Sequence, residues 1–125
     1  MGLFDMLLGN ASEIDTQRLE EEFSTILVDG ERIEHASRLV RDLIVFTDKR
    51  IVLVDKQGLT GKKRTWLSIP YKMITKFSKE SAGTFDMDSE IKIWLRGEAE
   101  PLNVEFGRNK AIDDIYRVLS ACVLK

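Results

Sequence analysis

"DLIVFTDKRIVLVDK", residues 42–56, holds two apolar runs, "LIVFT" and "RIVLVD", on either side of Thr47-Asp48-Lys49. Runs this short, rich in β-branched residues and broken by a polar turn, predict two strands of a hairpin rather than one helix. Neither run alternates. Both are apolar on both faces, so at least one of these strands must be covered on its second face by a helix or by another subunit.

Outward from this hairpin the same punctuation recurs. Strands are expected near residues 31–39, 42–47, 50–55, 63–69, 74–80, 89–95 and 101–106, with further turns at 57–61, Ala82-Gly83 and Arg96-Gly97. The last two strands alternate cleanly: Ile91, Ile93 and Leu95 oppose Lys92 and Trp94, and Leu102, Val104 and Phe106 oppose Asn103 and Glu105. Such strands have one face in water. Pro70 and Pro101 fall at strand ends, where a missing amide does least harm.

Helical periods frame the strands. "GLFDMLL" at the start carries a short stripe of Leu3, Phe4, Leu7 and Leu8. Ser12 is placed to cap a helix in which Leu19, Phe23, Ile26 and Leu27 recur at helical spacing, with Glu20, Glu21 and Glu22 mainly on its solvated face and Asp29-Gly30 at its end. A second amphipathic helix follows Gly107, with Ile112, Ile115, Tyr116, Leu119 and Val123 on one side and Asp113 and Asp114 in its first turn, where the helix dipole favours acids. The expected organisation is one domain: an N-terminal helical extension over residues 1–28 and a β-rich body over 29–125.

Composition narrows the class. In 125 residues, 43% are apolar and 32% charged, the balance of a chain that folds around a core in water. The longest purely apolar run, "IVLV", is too short to span a bilayer, and the start lacks the basic segment of a secretion signal, so the expected location is the cytoplasm. A net charge of −2 hides an uneven distribution: residues 1–34 hold two cations and nine acids (−7), 35–79 eleven and three (+8), 80–125 six and nine (−3). Charge blocks of opposite sign suit a polyanion, or a neighbouring copy of the same chain.

Catalytic signatures are missing. "GLTGKKR", residues 58–64, resembles a phosphate loop only in composition. Two residues separate its glycines where a Walker loop needs four, and Lys63 stands where the magnesium-binding hydroxyl belongs. The segment joins two strands and opens no helix, so it reads as a solvated hairpin tip. His35 is the single histidine and Cys122 the single cysteine, which leaves no catalytic pair, no disulfide and no multi-cysteine metal site. Asp86 and Asp88 lack the remaining ligands of a calcium loop. Trp66 and Trp94 are not interleaved with repeated basic residues as in a nucleic-acid platform. No catalytic residue, cofactor, metal or nucleic acid is therefore expected.

Seven short strands followed by one amphipathic helix is the order of a pleckstrin-homology-like domain. "LVDGERIEHASRLVRDLIVFTDKRIVLVDKQGLTGKKRTWLSIPYKMITKFS", residues 27–78, resembles the bacterial pleckstrin-homology family, most specifically in "FTDKRIVLVDKQGLTGKK" and "SIPY", and the resemblance continues through "SAGTFDMDSEIKIWL". It implies a mainly β fold: a seven-stranded, partly open barrel of two near-orthogonal antiparallel sheets, closed by the C-terminal helix. It also implies a non-enzymatic protein that assembles into a cyclic homo-oligomer, with a pentamer as one candidate ring. Eukaryotic relatives bind phosphoinositides through the loop between the first two strands. Here that loop, "RLVRDL", offers only Arg38 and Arg41, so the ligand site is not carried over.

The expected function is an oligomeric scaffold for protein–protein interaction, its partners being further copies of itself and a protein of unknown identity. The alternative is a peripheral membrane binder using "GLFDMLL" or the basic hairpin. Candidate interaction residues are Asp48, Lys49 and Arg50 at one hairpin tip and Lys62, Lys63 and Arg64 at the next. The strand over residues 50–54, with no proline and no inward charge, is expected to be an open sheet edge.

Overall fold

The computed structural model describes residues 16–40, 42–57, 63–81, 89–107 and 111–125. Helix α1 (Thr16–Ser24) leads into β1 (Ile33–Arg38), β2 (Leu43–Thr47), β3 (Arg50–Gln57) and β4 (Lys63–Pro70). A 3₁₀ turn (Tyr71–Met73) then carries the chain into β5 (Ile74–Ser81), β6 (Ser89–Leu95), β7 (Leu102–Gly107) and helix α2 (Ile112–Val123). The predicted strands all form. Ser12, the expected cap of the first helix, and "GLFDMLL" lie outside the described residues.

All strand neighbours are antiparallel and consecutive in sequence, forming one sheet of order β1-β2-β3-β4 and a second of order β5-β6-β7. The sheets do not close into a barrel. Among the described residues, a backbone bond from Val40 N–H to Glu105 O at 3.3 Å reaches from the end of β1 to β7.

Between the sheets lies the main core. Ile44, Phe46, Ile51 and Ile69 come from the first sheet, Ile91, Ile93, Val104 and Phe106 from the second, and Ile112, Ile115, Leu119 and Cys122 from α2. The helix closes the core because its apolar residues recur at 3.6-residue spacing, which keeps them on one side. Asp113 Oδ1 also accepts a 2.6 Å bond from Lys79 on β5, and the Phe77 and Tyr116 rings meet edge to face with centroids 5.4 Å apart.

A smaller core occupies the other face of the first sheet, where Phe23 of α1 packs with Ala36, Val45, Val52 and Val54. Ile26, Leu27 and Trp66 border it. This answers the two-sided apolarity of β2 and β3: the second face is covered by the chain's own N-terminal segment, so that pattern no longer argues for another subunit.

Candidate functional site

Of the two hairpin clusters singled out in the sequence, Arg50 and Arg64 lie on this covered face and are engaged within the chain. Arg50 opens β3 with its guanidinium turned toward the segment after α1. Its Nε donates to Glu31 Oε2 at 2.8 Å and its Nη2 to Glu31 Oε1 at 2.8 Å, a two-pronged pairing matched to the carboxylate plane. Nη2 also reaches Ile26 O at 2.7 Å, and Nη1 reaches Ser68 Oγ on β4 at 3.0 Å. Arg50 thus fastens the N-terminal segment to β3 and β4 together.

Glu31 is only 7% exposed, and a carboxylate so placed requires full hydrogen bonding. Beyond Arg50 it accepts from the Thr47 hydroxyl at 2.6 Å and from Val28 N–H at 3.0 Å. The Arg50 hydrogen bonds hold its pKa down to about 2, against the opposing effect of burial, with Thr47 and Val28 adding to the depression. Thr47 Oγ1 in turn accepts from Lys49 and Arg50 N–H, each at 3.0 Å, which shapes the β2–β3 turn.

Asp48 caps a neighbouring backbone. Its Oδ1 accepts from Arg32 N–H at 2.8 Å, and its own N–H donates to Arg32 O at 3.0 Å. The Arg32 amide is the first cause of its lowered pKa. Lys49 is exposed at the tip. In the second cluster, Arg64 bonds Glu22 of α1 at 2.8 Å, while Lys62 lies outside the described residues and the side chain of Lys63 is likewise undescribed. Glu22 is therefore a packing partner rather than part of a wholly solvated acidic face, and Arg64 is no member of an unengaged cationic tip.

Along β4 the outward side chains Arg64, Trp66 and Ser68 each meet this layer. Arg64 holds Glu22, Trp66 lies edge to face with Phe23 at 5.1 Å, and Ser68 holds Arg50. Spacing by two residues, the strand period, puts all three on one face. The sequence marked Arg50 and Arg64 by charge alone. It missed Glu31, whose only local signal is an acid followed by an arginine in a turn, and it missed Glu22 as a partner.

Tyr71 and His35 lie outside this network. Tyr71 donates to Thr47 O at 2.6 Å, and burial, before its neighbour Cys122, pushes its phenol well above the usual range. His35 has a buried Nδ1, and desolvation lowers its pKa. Among the described residues no group of three or more His, Cys, Asp or Glu is arranged to hold a metal ion. No helix among them is long and apolar enough to cross a membrane.

Sheet order corrects the expected edge. β3 is interior, paired with β2 on one side and with β4 on the other along residues 50–57, so its backbone has no outward side. Local pattern shows that a strand is apolar but not which strands flank it. The edges are β1 and β4 of the first sheet and β5 and β7 of the second.

Comparison with known proteins agrees with this architecture. The uncharacterized protein YjqA of Bacillus subtilis (strain 168) is 56% identical over 122 residues, covering 97% of this chain and 98% of YjqA. The crystal structure of a pleckstrin homology domain from Shewanella amazonensis SB2B superimposes with a TM-score of 0.82 at 50% identity, over 97% of this chain and 98% of that one. A pleckstrin-homology protein from Shewanella loihica PV-4 gives a TM-score of 0.77 at 42% identity, over 88% and 94%. The family model described as bacterial PH domain matches residues 2–123, and with two antiparallel sheets, a closing helix and relatives of this likeness, the chain belongs to the bacterial PH domain family.

Proposed function

We propose that the chain is a non-catalytic PH-like scaffold that associates with copies of itself and offers the resulting surface to another protein. The observation that supports this reading most is the pair of unclosed sheets. Among the described residues four edge strands remain, and edge backbone groups invite pairing unless they are covered, bent or charged. A head-to-tail contact between unlike edges generates a ring when its rotation closes. The opposite charge of the −7 and +8 segments is available to orient such a contact, although Arg64–Glu22 and Arg50–Glu31 use part of it within one chain.

Co-sedimentation with phosphatidylserine vesicles separates this reading from membrane association. The scaffold stays in the supernatant at low and high salt. Pelleting with vesicles that is lost as the Debye length falls below about 8 Å would instead mark a charge-driven membrane protein, and salt-insensitive pelleting would mark insertion of an apolar segment.

A further inference from the structure

We infer that the outer face of the three-stranded sheet is a docking surface for a basic segment of a different protein, seated over Trp94 and a row of glutamates; this deepens the scaffold reading and rests on it. The two sheets differ in their outward faces. That of β1-β2-β3-β4 is covered by α1, and its tryptophan, Trp66, meets Phe23 and borders the smaller core. On β5-β6-β7 the corresponding tryptophan, Trp94, is half-buried and belongs to neither core among the described residues. A large aromatic side chain left without a packing partner on a sheet is the residue type that anchors another protein.

Strand period and register set what surrounds it. Ile91, Ile93, Val104 and Phe106 turn inward to the main core, so Glu90, Lys92 and Trp94 of β6 and Asn103 and Glu105 of β7 turn outward. Residues directly opposite each other share a face, and the pairing lays three rows across the sheet. Lys76 stands opposite Trp94; Ser78, Lys92 and Asn103 form the next row; Glu80, Glu90 and Glu105 form the third. Like charges directly opposed destabilise a sheet. Lys92 relieves part of this repulsion, with Nζ 3.4 Å from Glu80 Oε2 and 3.9 Å from Glu90 Oε2, while no cation pairs with Glu105 among the described residues.

The chemistry of the partner follows from charge. Lys76 Nζ lies 4.7 Å from the centroid of the Trp94 ring, so the ring already accepts a cation on one face. An incoming arginine makes the same contact, and a second arginine pairs with the glutamate row in the two-pronged geometry of a guanidinium on carboxylate, removing the repulsion within the row. Glu90 and Trp94 are four positions apart on β6, about 13 Å at the rise of a strand. An extended segment with two basic residues four positions apart spans the same distance. An acidic segment meets the glutamate row with like charge and is rejected.

Titration of the full chain with a fluorescent hexa-arginine peptide tests this surface, with hexa-glutamate as the control and nuclear magnetic resonance following the backbone amides and the Trp94 indole. The expected result is binding of hexa-arginine alone, shifts centred on Glu90, Lys92, Trp94 and Glu105, and affinity at least about tenfold lower in E90Q/E105Q and in W94T, each checked for folding by circular dichroism. Equal affinity in wild type and E90Q/E105Q, unchanged affinity in W94T, or shifts centred on Glu20, Glu21 and Glu22 of α1 would overturn the assignment, because the peptide would then report acidity in general. Sedimentation of the same samples reads self-association separately. An assembled chain that ignores the peptide overturns this surface and leaves self-association standing, whereas a monomeric chain that binds it here supports the surface and contradicts self-association.

Discussion

Glu31 shows how much one side chain decides. Its carboxylate ties Arg50, Thr47 and Val28 into one network, and its pKa is held near 2. A depressed carboxylate contributes stability that is present above its unfolded pKa and is lost as pH falls through its folded pKa. Urea unfolding of the wild type should therefore lose on the order of 3 kcal/mol between about pH 4.5 and pH 2 from this group. E31Q should remove that part of the pH dependence and be less stable at neutral pH, because Arg50 keeps its charge in a half-buried place without its partner. A variant with an unchanged pH slope would show that the carboxylate is not held by this network. The Arg64–Glu22 pair, with both side chains about a third exposed, should matter far less: E22A is expected to cost at most about 1 kcal/mol, and less in high salt.

At the scale of elements, α1 is a layer of the body more than an appendage. Phe23 is fully buried against β2, β3 and Trp66, so F23A should destabilise the chain by roughly 3–5 kcal/mol and expose apolar sheet surface to a hydrophobic dye. A melting temperature unchanged by F23A would show that the helix is not docked as described. The strands were legible from short β-branched runs between turn residues, and their observed bounds fall within two residues of the expected ones. Covering of β2 and β3 was legible from their two apolar faces. The identity of the cover was not fully determined, because a helix and a second subunit satisfy the same pattern. Nor was strand order: the interior position of β3 depends on β4, which arrives only after the hairpin turn, and the ties Arg50–Glu31 and Arg64–Glu22 span 19 and 42 residues, beyond any local periodicity.

For the whole molecule, the bacterial PH fold leaves two sheets joined by a core and a closing helix rather than by a continuous ring of hydrogen bonds. Unclosed edges are a liability unless assembly or protection occupies them. The central claim is that the chain associates with itself through such an edge, and sedimentation velocity at tens of micromolar protein tests it most directly. The account predicts a discrete species heavier than the 14.3 kDa chain; a wild type sedimenting only as a 14.3 kDa monomer would contradict it.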